Sequence, residues 1–449
     1  MNRSCLRFAV VVACTASVSA CDVESGRRPT VGVLHFPTAA TASPDGRFLY
    51  VANSNFNLEF SGALIQAFDL DKIRAAADNA KAHPETPAAA FERDESKFVA
   101  SDGQGGFPRG AAVRVGSYVT ALKLAPDGNR LYAATRASGC IAWIDRTAEG
   151  LLECGQQSAG GACDEAQPSA AQHCVGASRS GRRDLLLPPN PTSIDVFDQN
   201  GSRFITVTHH EETRSRVSLL VQPTANDAPV LAHFASDFSA RLWTQVRLPT
   251  AQPHWLVFSR DDPSMGHVRL FEDGMSSFVF RAPTTIPTTV SSTLGVMHAA
   301  LDPCNPNRVY AAARVRRSSG AAAGDAIFAI DVSNPDDPRV VDTLSMPIGP
   351  TRIVPVRRGA TCADGVDLYT VLYDARKLYV VDASSWSEVA QIRTQVGPAE
   401  FVVDPQFGTA GHNYFYVINF SSMCIEVIDA ATRTVVFTIG EPIRPRELS

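Results

Sequence analysis

Three successive copies of a short motif end in residues of different chemistry. Gly295-Val296-Met297-His298, Gly349-Pro350-Thr351-Arg352 and Gly397-Pro398-Ala399-Glu400 carry an imidazole, a guanidinium and a carboxylate at the same place, and Gln252-Pro253-His254-Trp255 extends the series backward with an indole. Brought to one cavity, Arg352 would pair with an acidic or hydroxylated ligand and Trp255 would supply a stacking wall. His298 and Glu400 would exchange protons there if burial tuned their pKa values. The simpler outcome is an ion pair between Arg352 and Glu400 that only holds neighbouring elements together. His254 reaches the same place if the series is displaced by one residue.

A second constellation, His209-His210-Glu211-Glu212, follows the apolar run from Phe204 to Thr208. Imidazole and carboxylate both ligate zinc, which makes His209, His210 and Glu211 the metal candidates. Adjacent residues on extended backbone point to opposite faces, however, so at most part of the run can serve one ion and a solvated polar loop is the expectation. There is no HExxH, P-loop, GxSxG or dinucleotide-binding glycine motif in a strand-to-helix setting, and no CxxCH haem signature. No cofactor is expected.

The elements that must position these residues repeat along the chain. Ser43-Pro44-Asp45-Gly46-Arg47-Phe48-Leu49-Tyr50-Val51-Ala52-Asn53 recurs as Ala125-Pro126-Asp127-Gly128-Asn129-Arg130-Leu131-Tyr132-Ala133-Ala134-Thr135. An Asp-Gly turn precedes an alternating β-branched and aromatic run in each. After another turn comes a strand closing on aspartate: Ala63 to Asp69, Cys140 to Asp145, Ala326 to Asp331, Lys377 to Asp382 and Cys424 to Asp429.

These patterns resemble the YVTN-type repeat of YncE-like propellers, in which "PDG..LYV.N" leads to "I.VID". The resemblance implies an all-β fold, a seven-bladed β-propeller of four-stranded antiparallel blades. It is strong in the first, second and last units and weak from Asn200 to Arg281. The motif starts extend to Asn190-Pro191-Thr192-Ser193, Tyr118-Val119-Thr120-Ala121 and Phe36-Pro37-Thr38-Ala39, which makes seven units. In a propeller the first strand of each blade lines the channel. The ring at one mouth is then Trp255, His298, Arg352 and Glu400 on one side, with Ala39, Ala121 and Ser193 opposite. Starts lie 82, 72, 62, 43, 54 and 48 residues apart, against about 40 to 50 for a minimal blade. Insertions at about 74–112 and 148–186 absorb the excess, the first with a short helix from Asp71 to His83. Val31 to Phe36 is expected as an outer strand that closes the last blade.

The N-terminus reads as an export signal: Arg3 and Arg7, an apolar run from Phe8 to Val18, then Ser19-Ala20-Cys21. The run is shorter than the about 20 apolar residues that span a bilayer. Val18-Ser19-Ala20-Cys21 resembles the lipobox of bacterial lipoproteins, which implies lipid on Cys21 and removal of residues 1–20; an ordinary secretory cut after Ala20 is the alternative. Residues 21–30 then form a polar tether and 31–449 one propeller domain. The tether reaches about 30 Å at roughly 3.3 Å per residue, which places the body near a membrane of the bacterial cell envelope, on the periplasmic face or the cell surface.

Loss of the signal leaves 39 basic against 46 acidic side chains, a charge near −7. That acidity argues against a nucleic-acid partner. Of seven further cysteines, Cys154, Cys163 and Cys174 crowd one segment after Cys140, without the paired spacing of a zinc site, and read as loop staples with Cys140 joined to one of them. Cys304 and Cys362 occupy matching turns of neighbouring blades and suit a cross-blade disulfide.

The expected function is an envelope-anchored, non-enzymatic module that binds a protein, peptide or glycan. The repeat is similar to that of lactonase-type propellers, which implies as one alternative a hydrolase with its site at the channel mouth. It is shared by amine-dehydrogenase-like subunits, which implies as another an accessory chain of an exported redox enzyme.

Overall fold

The computed structural model describes residues 27 and 29–441, except 87–89, 102–105, 109, 154–173, 176–186, 212–214, 225–226, 239–240, 262–263, 271–277, 286–293, 316–324, 347 and 410–412. Cys21, the signal, most of the tether, and Cys154 and Cys163 lie outside the described residues, as does the side chain of Cys174.

Seven sheets, each with four antiparallel strands, form a ring of blades. From the channel outward, blade I is Pro37–Ala42, Phe48–Asn53, Ala63–Asp69 and Ala112–Val115, and blade II is Val119–Leu124, Arg130–Thr135, Cys140–Arg146 and Cys174–Val175. Blade III is Pro191–Gln199, Ser202–His209, Ser215–Gln222 and Val230–Phe238; blade IV is Leu242–Leu248, His254–Ser259, Ser264–Leu270 and Phe278–Thr285. Blades V, VI and VII begin at Leu294–Leu301, Arg352–Arg357 and Pro398–Val403, and end at Arg339–Met346, Ser387–Arg393 and Thr434–Ile439.

The recurring turns explain why the chain folds this way. Gly46 and Gly128 sit at φ +71° and +74°, which side chains disfavour, and Gly46 N–H donates to Ser43 O at 2.9 Å to close the turn. The aspartates that end the third strands start the next turn: Asp331, Asp382 and Asp429 accept backbone N–H from Ser333, Ser384 and Ala431 at 2.7–2.8 Å.

Both faces of a blade pack on neighbours, so second strands such as Phe48–Asn53, Arg130–Thr135 and Tyr414–Asn419 are buried at every position. Outer strands such as Arg339–Met346 are largely exposed. Each fully buried Leu, Ile or Phe between blades contributes about 1.5–3 kcal/mol.

The sequence expectation misplaced one strand. In blade IV the innermost strand is Leu242–Leu248, and His254–Ser259 is the second. Trp255 is fully buried and packs with Val257, Val217 and Leu219 between blades III and IV. The apolar run His-Trp-Leu-Val-Phe-Ser resembles a first strand because it is buried on both faces, whereas the true first strand faces the channel and carries Trp243, Thr244, Gln245 and Arg247.

Ring closure also differs from expectation. Val31 to Phe36 joins no sheet: it is held on blade I, where Gln66 Nε2 and Asn53 Nδ2 both donate to Val33 O at 2.9 Å and Gly32 N–H donates to Gln66 Oε1 at 2.6 Å. Blade VII is built from its own four strands, and Phe91–Glu92, from the blade I insertion, adds beyond Thr434–Ile439 in parallel. The same insertion holds the expected helix, α1 (Leu70–Ala82), capped by Asp69, whose carboxylate accepts from Asp71 and Lys72 N–H. Its buried stripe of Leu70, Ile73, Ala77 and Ala80 rests on the core. Its polar side reaches blade VII: Arg74 Nη2 lies 2.7 Å from Asp404 Oδ1, Lys81 lies 2.6 Å from Asp429, and Tyr414 donates to Asp78.

Cys304 and Cys362 form the cross-blade disulfide, with Cα atoms 5.3 Å apart. Cys140 is also disulfide-bonded. Cys424 is free and buried.

Candidate functional site

The seven innermost strands share one local irregularity. In six of them the pairing with the second strand breaks register between residues two apart: Pro37 and Ala39, Val119 and Ala121, Pro191 and Ser193, Leu242 and Thr244, Val296 and His298, Pro398 and Glu400. In blade VI Thr351 N–H donates to Val371 O, the residue paired with Arg352, so two residues again oppose one. Such bulges re-aim side chains. Two of the extra residues tie blades together: Thr38 Oγ1 donates to Val119 O at 2.7 Å and Thr120 Oγ1 to Pro191 O at 2.9 Å.

The residue after each bulge forms a ring: Ala39, Ala121, Ser193, Thr244, His298, Arg352 and Glu400. Six of the seven match the ring read from sequence, and Thr244 stands where Trp255 was expected. Correct placement of Leu242 turns the uneven intervals of 62 and 43 residues into 51 and 54. That evenness was the signal available in the sequence.

The ring opens on a cavity of about 690 Å³ that all seven blades line. His298, Arg352 and Glu400 face it together, with Lys123, Asp195 and Arg247, which sequence reasoning missed. Arg352 Nε makes an ion pair with Glu400 Oε1, and Phe401 N–H donates to the same oxygen at 3.0 Å. Glu400 is only 3% exposed. Burial pushes its carboxyl up to about 7, against the pull of Arg352 and of the Phe401 and Ala40 N–H groups. Burial and the Arg352 charge hold the His298 imidazole well below the usual histidine range. Ile353 N–H donates to His298 Nδ1 at 3.5 Å, which leaves the ring proton of neutral His298 on Nε2.

Across the channel, Asp195 Oδ2 accepts from the Trp255 indole N–H at 3.0 Å and pairs with Arg247 Nε at 3.2 Å. Trp255 thus braces a channel carboxylate from behind. His254 does not reach the channel either, because its Nε2 lies 3.1 Å from His267 Nδ1 in the blade interior.

The structure separates the candidate metal ligands. His209 is buried, donates from Nδ1 to Pro189 O at 3.1 Å and accepts at Nε2 from Ser218 Oγ at 2.9 Å; burial pushes it down to about 3. His210 Nε2 faces Asp261 at 3.5 Å, and Glu211 faces Arg216 at 3.7 Å. Among the described residues no three His, Cys, Asp or Glu side chains gather as a metal site.

No protein family and no curated protein matches the chain. Solved structures do match in shape. Hydrazine synthase of Kuenenia stuttgartiensis gives a TM-score of 0.54 at 12% identity, covering 89% of this chain and 96% of that one. A Bacteroides uniformis protein provisionally assigned as a 6-phosphogluconolactonase gives 0.53 at 15% identity, covering 81% and 87%. A Lactobacillus plantarum protein gives 0.51 at 11%, covering 80% and 85%. At these identities the likeness is one of fold.

Proposed function

We propose that this propeller is a lipid-anchored binding module of the cell envelope that takes an acidic or hydroxylated group of a glycan or peptide into its channel without transforming it. The observation that carries the reading is the pairing of Arg352 with Glu400 in the wall of the cavity. A carboxylate engaged by a guanidinium and a backbone N–H is not a free base. Arg352 stands on the blade between His298 and Glu400, so the histidine and the carboxylate do not form a proton-transfer pair. What remains is a rigid ring of donors and acceptors against a small-residue wall at Ala40, Ala121 and Ser193, which suits a polyhydroxylated ligand.

Titration of the full chain with glucuronate, which carries a carboxylate and hydroxyls, tests this. Binding that is lost in Arg352→Ala, with no turnover of gluconolactone above the uncatalysed rate, supports a binding module. Metabolic labelling with an alkyne fatty acid, lost in Cys21→Ser, tests the anchor.

A hydrolase is the second reading, favoured by one observation: a Glu400 carboxyl pushed up to about 7 is poised for general acid-base work near neutrality. The lactonase assignment of the Bacteroides uniformis protein agrees with it. Lactone turnover that falls at least 100-fold in Glu400→Gln would replace the binding reading with this one.

A further inference from the structure

One backbone hydrogen bond recurs around the rim of the channel. The residue after the second strand donates its N–H to the residue before the first: Ser54 to Phe36, Arg136 to Tyr118, His210 to Asn190, Arg260 to Arg241 and Phe420 to Gly397. These positions are therefore equivalent from blade to blade, and their chemistry is uneven. Blades VII, I and II present rings, with Phe420, Phe36, Phe56 and Tyr118 in contact at centroid distances of 5.2–5.3 Å along the chain of neighbours. Blades II, IV and V present the guanidinium groups of Arg136, Arg260 and Arg314, and blade III the imidazole of His210, which burial holds below its ordinary range.

Two of the cations gather on Trp243, the bulge residue of blade IV and part of the channel lining. The guanidinium carbon of Arg260 stands 4.3 Å from the indole centroid and that of Arg136 stands 6.0 Å from it. A guanidinium held by its face keeps its N–H edges for hydrogen bonding. Arg314 joins them from blade V and lies across the start of the blade VI inner strand, where a Cβ on Gly349 would sit 2.2 Å from Arg314 Nε. Gly295 lets the Arg260 backbone approach in the same way, since a Cβ there would lie 1.3 Å from Arg260 O.

Two carboxylates answer these charges. Asp261 lies 3.3 Å from Arg241, and Asp374 pairs with Arg314. Among the described residues no carboxylate makes ion-pair contact with Arg260 or Arg136. Burial pushes the Arg260 guanidinium below its ordinary value; Asp261 pulls it back, and the nearby charges of Arg136 and Arg314 push it down further. Like charges so held are repelled unless an anion lies between them.

We propose that Arg136 and Arg260, organised by Trp243, and Arg314 beside them form an oxyanion subsite at the rim that binds the doubly charged phosphate group of a phosphomonoester on the channel ligand. The proposal deepens the binding reading and rests on it for the rest of the ligand. Guanidinium forks match such oxyanions geometrically, and the third cation favours two negative charges over one. The group arrives either on a small soluble ligand or on a lipid headgroup.

Titration of the full chain with phenyl phosphate, phenol, acetate and inorganic phosphate, at two salt concentrations, tests the subsite. Vesicles containing phosphatidate against vesicles of phosphatidylcholine alone form the lipid arm. Phenyl phosphate is expected to bind where phenol does not, more weakly at higher salt, and about 10- to 100-fold more weakly in Arg260→Ala. Arg260→Lys, which keeps charge but loses the planar fork, should restore only part of it. Trp243→Leu should weaken binding with the thermal transition unchanged.

Phosphate affinity no greater than acetate affinity overturns the proposal, as does binding that survives in the folded Arg260→Ala/Arg314→Ala double variant. Phenyl phosphate binding without any glucuronate binding would sink the channel reading and leave the subsite, and the reverse pattern would sink the subsite alone.

Discussion

Arg74 and Asp404 are 330 residues apart in sequence and form a two-toothed ion pair, Nε to Oδ2 at 2.9 Å and Nη2 to Oδ1 at 2.7 Å, that locks a helix of the first blade onto the last. The side chains are 3% and 0% exposed, and the Tyr416 hydroxyl donates to the same carboxylate. Among the described residues ahead of Pro37 none adds a strand to the last blade, and the ring closes through this insertion instead.

Removal of one partner leaves the other buried and uncompensated, so Arg74→Ala is expected to cost about 3–5 kcal/mol. Asp71→Ala removes the other, exposed partner of Arg74 and should change stability little. Urea unfolding of the two variants checks the contrast, and equal losses would show that the clasp does not hold the ring.

Glu400 makes stability depend on pH in a defined direction. Its folded carboxyl is pushed up to about 7 from the ordinary value of 4.5, so the folded state binds the proton more tightly than the unfolded state. The stabilisation is full below about 4.5 and is lost as pH rises through about 7, amounting to about 3 kcal/mol at 1.36 kcal/mol per unit. Glu400→Gln should therefore flatten the thermal midpoint between pH 4.5 and 8. Glu426, pushed up to about 7 by burial, adds a second contribution of the same sign, so the double variant should flatten it further.

The Cys304–Cys362 bridge closes a span of 58 residues. Its loss in Cys304→Ser/Cys362→Ser is expected to cost about 2–4 kcal/mol, read as a lower thermal midpoint that reductant reproduces in the native chain. Burial pushes the free Cys424 thiol well above its ordinary range. Its peptide should stay unalkylated by iodoacetamide in the folded protein and react once the chain is unfolded.

Gly295→Ala tests how tightly the rim is built. A Cβ 1.3 Å from the Arg260 carbonyl oxygen overlaps backbone, which cannot swing aside as a side chain can. A loss of about 3 kcal/mol is expected by differential scanning. At Gly201 nothing lies within 4 Å, so Gly201→Ala should show only the smaller strain of its φ of +78°.

The blade repeat was legible in sequence because it is local. An Asp-Gly turn, an alternating strand and a closing aspartate each act over a few residues, so Ser43 to Asn53 and Ala125 to Thr135 declare their folds without help from elsewhere. The ring of Ala39, Ala121, Ser193, His298, Arg352 and Glu400 followed from that register alone, and so did the pairing of Cys304 with Cys362. Tertiary structure decided what local pattern cannot encode. Trp255 is interior because the blade IV strand that faces the channel is polar and reads weakly, whereas its neighbour is buried on both faces and reads strongly. The closure by Arg74 and Asp404, and the gathering of Arg136 and Arg260 on Trp243 with Arg314 near them, join residues from separate blades through charge and close approach. Such contacts leave no period in the sequence, since only the closed ring brings them within reach.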